Sequence, residues 1–119
     1  ADWLVPGVHI NAAGSTALIR QELSEAAVRR CDLVAVDTVD TALKEAGDLV
    51  PLLEKGRLST RQLVELGDVI VGRRAGRSSP EQITLFESQG LAVQDLVLAS
   101  LVLAQARARG LGQELPFGG

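Results

Sequence analysis

Apolar positions along the 119-residue chain fall into short runs divided by small-residue turns, with one long apolar stretch near the end. Residues 8–13 read as a short buried strand that runs straight into the turn Gly14-Ser15-Thr16. Residues 21–30 have helical character, with Ser24 placed to cap them. Residues 32–37 form a second short strand, with β-branched residues inside and carboxylates at both ends. A helix over 38–46 stops at Gly47, and a further helical turn or two covers 48–55, where Pro51 is tolerated only in the first turn.

Ser59 or Thr60 then caps a helix whose apolar face carries Leu63, Leu66 and Ile70, with Val64 alongside. Residues 72–80 are a loop by every local signal. Residues 83–88 make a third strand, broken by Gly90. The longest helix spans 91–109 and ends at Gly110, and 111–119 is a tail whose Gly118 and Gly119 are expected to fray.

Strands alternating with helices predict an α/β fold: a partial, Rossmann-type parallel sheet of about three strands flanked by helices, with a long apolar C-terminal helix. That last helix carries leucine and valine nearly all the way round, and a helix apolar on all sides is one buried on all sides. Three short strands cannot bury it. The expectation is that further protein covers it, either a companion N-terminal polypeptide or another copy.

Composition narrows the class. The length predicts one domain, and the apolar fraction of 46% with only 3% aromatic residues suits an aliphatic, parallel-sheet core. A formal charge of −3 gives no electrostatic reason to expect nucleic acid or an anionic membrane as partner. The residues 91–104 are very apolar, but Gln94, Asp95 and Ser100 interrupt a run already short of the roughly 20 residues a bilayer span needs. A single cysteine, Cys31, forms no internal disulfide, and the absence of a leader-like start leads to the expectation of a reducing, cytoplasmic setting. The chain holds no methionine, which fits both a trimmed initiator before Ala1 and a cleaved or truncated product.

Each chemical motif has an ordinary counterpart. No Gly-x-Gly-x-x-Gly links a strand to a helix: Gly110-Leu111-Gly112 follows a helix, and Leu115 stands where the third glycine belongs. No phosphate loop exists. His9, the only histidine, lies inside the first strand and reads as a hydrogen-bonded structural residue. Cys31 reads as a packed thiol at a helix–strand junction. Arg57, Arg61, Arg73, Arg74 and Arg77 read as a solvated, basic stretch without interleaved aromatics. Asp37 and Asp40 read as capping residues, and Asp95 as a first-turn or buried hydrogen-bonding carboxylate. What remains is the strand end at 10–13, since open α/β sheets hold ligands at strand carboxyl ends.

Five blocks, in order, resemble the C-terminal part of the ornithine cyclodeaminase/mu-crystallin family: 6–15 (Pro-Gly-Val-His-Ile-Asn-Ala-Ala-Gly-Ser), 20–23 (Arg-Gln-Glu-Leu), 44–48 (Lys-Glu-Ala-Gly-Asp), 65–72 (Glu-Leu-Gly-Asp-Val-Ile-Val-Gly) and 83–95 (Ile-Thr-Leu-Phe-Glu-Ser-Gln-Gly-Leu-Ala-Val-Gln-Asp). The resemblance implies that residues 1–89 are the second half of a Rossmann-type NAD(P)-binding domain. It implies that residues 90–119 are a helix and tail returning to a substrate and dimerisation domain built mainly from earlier sequence. The activity it implies is hydride transfer between NAD or NADP and an amino or imino acid, of the ketimine reductase or amino-acid dehydrogenase type. A non-catalytic half-domain that self-associates or docks on a partner is the alternative for the isolated chain, and ornithine cyclodeamination a further one.

Carried over residue by residue, the resemblance assigns Ile10, Asn11, Ala12 and Ala13 to the cofactor-lining strand end, Arg20 to the cofactor's vicinity, Ser88 to the nicotinamide side and Gln89 to substrate. Thr16 takes the catalytic position. There the cyclodeaminases and archaeal alanine dehydrogenases carry an aspartate, and threonine offers no useful basicity near neutral pH. The departure points away from cyclodeaminase chemistry and toward imine reduction or amino-acid dehydrogenation. No metal ligand set is expected.

Overall fold

The computed structural model describes residues 2–116. In chain order its elements are β1 (His9–Ala12), α1 (Glu25–Val28), β2 (Leu33–Val36), α2 (Val39–Glu45), α3 (Val50–Glu54), a 3-10 turn (Thr60–Gln62), β3 (Leu63–Glu65), α4 (Leu66–Ile70), β4 (Thr84–Glu87) and α5 (Ala92–Ala108). The strands pair in the order β1-β4-β2-β3, all parallel. The last strand in sequence is thus inserted between the first two.

The sheet has four strands rather than about three. The residues expected to form one helix from Ser59 or Thr60 onward divide instead into a 3-10 turn capped by Ser59, the strand β3 and the short helix α4. Leu63 and Val64 are both buried although adjacent, which a two-sided strand achieves and a single helical stripe does not. Elsewhere the expected elements stand, trimmed by one or a few residues. Ser24 accepts from the N–H of Ala27 at the start of α1, and Thr38 does the same for Thr41 at α2. Pro51 lies in the first turn of α3, where it displaces no helical hydrogen bond. The expected fraying of Gly118 and Gly119 lies outside the described residues.

Register fixes what each face of the sheet carries. Ile10, Leu85 and Val34 stand side by side, followed one pleat later by Ala12, Glu87 and Val36. This face meets Val28 of α1, Ala42 of α2 and Leu52 of α3, together with Ala46, Leu49, Leu58 and Leu63, in the aliphatic core. The opposite face carries His9, Thr84 and Leu33, then Asn11, Phe86 and Ala35. Leu66 and Val69 of α4 overhang part of it and leave a cleft of about 320 Å³.

One arginine holds the amino ends of β1 and β4 together. Arg77 donates to the carbonyls of Gly7, Val8 and Pro80 and to the Thr84 hydroxyl, at 2.8–3.3 Å. Gly7, at φ +86°, lies so close to the Pro80 carbonyl that a Cβ would stand 2.7 Å from it.

α5 ends at Gly110 (φ +63°), where the N–H groups of Gly110 and Leu111 return to the carbonyls of Arg107 and Ala106. None of its residues is buried; Leu96, Val97 and Leu98 are 60–67% exposed. Among the described residues no helix is long and apolar enough to cross a membrane.

Candidate functional site

The carboxyl ends of β1, β4 and β2 are level, because Ala12, Glu87 and Val36 share one register position. The N–H of Ser88 donates to the carbonyl of Ala12 at 2.8 Å, so the turn at 13–16 and the segment 88–90 emerge side by side. Strand ends of this kind leave room for ligands in open α/β sheets.

The eight residues expected to form a site are not equivalent there. Ile10 and Ala12 point into the core, Ala12 with 3% exposure, and their side chains are withdrawn from any ligand. Asn11 faces the other way and is exposed, with its Oδ1 3.3 Å from Nε2 of His9. Ala13 is exposed and Ser88 half-buried at the same level of the sheet. Thr16 and Arg20 pair with each other at 3.4 Å. Gln89 is only 9% exposed, and neither end of its amide has a partner among the described residues.

The turn is fastened from below. The Ser15 hydroxyl, fully buried, donates to the carbonyl of Arg20 at 3.1 Å and accepts the N–H of Asp48 at 3.0 Å. Asp48 in turn accepts the N–H groups of Glu22 and Leu23 on one oxygen, and Glu22 accepts the N–H of Gly14 at 2.6 Å. The three contacts to Asp48 thus seat residues 13–23 on the junction between α2 and α3.

Glu87 is the residue that sequence reasoning passed over. It faces the core, is fully buried, and neither carboxyl oxygen has a hydrogen-bond partner among the described residues. Burial first, and the negative fields of Asp48 and Glu22 after it, push its carboxyl up to about 8, with the nearby Ser15 hydroxyl opposing them. Burial raises Asp48 as well, against the two N–H donors it receives. The available signal was alternation: an ionisable side chain two residues beyond Leu85 falls on the core face.

Asp37, expected to cap α2, takes a different role. It does not cap α2, which Thr38 does, but reaches over to β4. One oxygen accepts the Ser88 hydroxyl and the N–H of Gly90, both at 2.8 Å, and the other accepts Nε2 of Gln94 at 3.0 Å. Burial alone would raise its carboxyl, but the donors from Ser88, Gln94, Gly90 and Gln89 hold it below the usual carboxylate range. Asp40 pairs with Lys44 on the surface, and Asp95 is exposed in the first turn of α5.

The remaining candidates are structural. His9 Nδ1 meets the Thr84 hydroxyl at 2.7 Å. Burial raises the Cys31 thiol to about 11, which leaves almost no thiolate at neutral pH. Arg57 pairs with Glu25 and Arg73 with Asp68. No group of three or more acidic, histidine or cysteine side chains among the described residues has metal-binding geometry.

The strand ends leave small side chains and polar atoms uncovered. Ala13 and Gly14 present exposed, small surfaces, while Asn11 and Ser88 offer polar atoms. They do not suit a pyrophosphate, for which the sequence carries no glycine-rich turn ahead of a helix.

A parallel, helix-flanked sheet with its polar groups collected at the carboxyl ends of adjacent strands is a Rossmann-like α/β unit. The chain belongs to the ornithine cyclodeaminase/mu-crystallin family, whose model matches residues 1–110. It is 41% identical over 118 residues to a Δ1-pyrroline-2-carboxylate reductase of Bacillus cereus (strain ZK / E33L), covering 98% of this chain and 36% of that protein. It is 35% identical to an alanine dehydrogenase of Archaeoglobus fulgidus, with the same two coverages. The solved structure of Thermococcus litoralis Δ1-pyrroline-2-carboxylate reductase in complex with NADH and L-proline superposes with a TM-score of 0.85 at 31% identity, over 96% of this chain and 35% of that one. The chain therefore spans about a third of the length of these relatives.

Proposed function

We propose that this chain forms the nicotinamide-side half of an NAD(P)-dependent oxidoreductase that acts on imino or amino acids. The observation that carries this reading is the Ser88-to-Ala12 backbone bond, which sets Asn11, Ala13 and Ser88 beside one another at the ends of two neighbouring parallel strands. When bound, a reduced nicotinamide supplies hydride to the carbon of a C=N bond. In this reading Asn11, Ala13 and Ser88 line the ring side, and Ile10 and Ala12 contribute backbone alone. Arg20 stands near the cofactor, Gln89 faces the substrate, and Thr16 holds rather than deprotonates a ligand atom.

Residues 1–89 make up the Rossmann-type half and residues 90–119 the helix and tail that return to a substrate and dimerisation domain. Cofactor phosphates and the substrate carboxylate then depend on protein outside these 119 residues. The threonine at position 16 supports reductase or dehydrogenase chemistry over cyclodeamination, because no basic group stands there to activate water.

The test is an assay of the protein expressed from its complete reading frame, with Δ1-pyrroline-2-carboxylate and alanine as trial substrates. Oxidation of NADH or NADPH that depends on the imine supports the reading. Absence of both dinucleotide binding and turnover would overturn it.

A second reading, a non-catalytic half-domain that self-associates, is favoured by the uncovered apolar surface of α5. Native mass spectrometry separates the two. A bare homo-oligomer of 119-residue chains supports the second, and a companion polypeptide or bound dinucleotide supports the first.

A further inference from the structure

We infer that Asp37 is a positioning residue which fixes Ser88 as a hydrogen-bond acceptor, and so makes the ring-side pocket selective for a carboxamide over a carboxylate. The inference rests on the dinucleotide reading above and goes beyond it to a residue on a different strand.

Geometry carries the argument. Ser88 has one hydroxyl proton, and that proton is committed to Asp37 at 2.8 Å. A hydroxyl whose proton is taken has only lone pairs left to present. The Asp37 carboxylate cannot return the favour, since the same oxygen also takes the N–H of Gly90 and the other takes Nε2 of Gln94. Asp37 is itself 7% exposed, at the end of β2, so its orientation is set by the sheet rather than by solvent. The outward face of Ser88 therefore welcomes an N–H donor and repels an anion, with the negative charge of Asp37 directly behind it. Gln94 lies in the first turn of α5, so the same carboxylate also ties the start of that helix to the pocket.

The experiment uses the protein from its complete reading frame and measures binding by calorimetry. The probes are NAD+ and its nicotinic-acid counterpart, which differ only in carboxamide against carboxylate. The unmodified protein is expected to prefer the carboxamide by about tenfold or more, the size of one charged hydrogen-bond mismatch. Asp37→Ala removes the acceptor and frees the Ser88 proton to meet a carboxylate, and the preference should collapse toward parity. Ser88→Ala removes the acceptor while leaving Asp37 its contacts with Gly90 and Gln94, and should weaken NAD+ binding without weakening the acid analogue. It serves where Asp37→Ala fails to fold.

A merely structural role for Asp37 would lower the affinity of both probes equally and leave their ratio unchanged, and that result overturns the inference. Equal binding of both probes by the unmodified protein overturns it too, while leaving the dinucleotide reading intact. Binding of neither probe removes the dinucleotide reading and this inference together.

Discussion

The hydroxyl of Ser15 accepts the backbone N–H of Asp48 at 3.0 Å across 33 positions of sequence, and both groups are buried. This contact seats the turn after β1 on the α2–α3 junction. Ser15→Ala strands the Asp48 N–H and the Arg20 carbonyl at once. A loss of about 1–3 kcal/mol is expected from the buried Asp48 N–H left without a partner. Urea unfolding of the variant measures it, and an unchanged midpoint would show that the turn is held by other means.

Gly47 tests the same seat from the other side. A Cβ on it would stand 2.0 Å from the carbonyl oxygen of Arg20 and 2.8 Å from that of Ala17. Both obstacles are backbone, so no side-chain rotation relieves them. Gly47→Ala should cost ~3 kcal/mol or more, at the upper end of overpacking, by displacing residues 17–20. The same variant should weaken any ligand that Thr16 and Arg20 hold. Full stability in Gly47→Ala would contradict the packing of this loop.

These contacts also mark what was legible in the chain. Strand β1, its small-residue turn, the cap at Ser24 and the end of α5 at Gly110 are written in local chemistry, each within a few neighbouring residues. Strand β3 was not, because Leu63, Leu66 and Ile70 fit a helical stripe and only the double burial of Leu63 and Val64 contradicts it. The roles of Asp37, Asp48 and Glu87 were invisible for a different reason. The surroundings of Asp37 and Glu87 arise when β4 inserts between β1 and β2, which joins residues 51 to 57 positions apart around Asp37, and Asp48 meets Ser15, Glu22 and Leu23 at 25 to 33 positions. The strand-end residues were placed by resemblance, and pleat direction then divides them into Asn11 outward and Ile10 and Ala12 inward.

Glu87 sets a pH dependence whose sign follows from its raised pKa. The folded protein keeps the proton up to about 8, whereas the unfolded chain releases it near the ordinary value of 4.5. Between these values the folded state binds more protons, so stability falls as pH rises through the window and levels off above it. Glu87→Gln lacks this proton linkage. It should therefore be more stable than the unmodified protein by an amount that grows from pH 4.5 to about 8, reaching on the order of a few kcal/mol. Thermal melts across that range provide the check. A constant difference between the two proteins would mean that Glu87 is ionised throughout.

Thr16 separates the two chemistries that the family offers. No cyclodeaminase turnover with ornithine is expected from the unmodified protein in its complete form, and observed turnover would sink the reductase reading of this position. Thr16→Asp places a carboxylate beside Arg20, whose Nη1 lies 3.4 Å from the present hydroxyl. Rate against pH in that variant should gain an acid limb at or below about 3.9, since the guanidinium favours the ionised form. An unaltered profile would remove Thr16 from the reacting centre.

The apolar surface of α5 makes the last prediction. Val93, Leu96, Val97, Leu98, Leu101, Val102 and Leu103 are each more than half exposed, and they surround the helix rather than lining one side. Burial of one such side chain contributes about 1.5–3 kcal/mol, so seven left in water favour any association that covers them. The 119-residue chain expressed alone should associate, with a mass that rises with concentration in sedimentation equilibrium. Leu98→Glu together with Leu101→Glu sets two charges in the middle of the helix without disturbing the sheet core, and should return the chain to a monomer with its α/β circular dichroism intact. If the unaltered chain sediments as a monomer at every concentration and binds no apolar dye, α5 does not act as an assembly surface. If the double variant stays associated, the contact lies elsewhere, and the open edge of β1 is the next element to block.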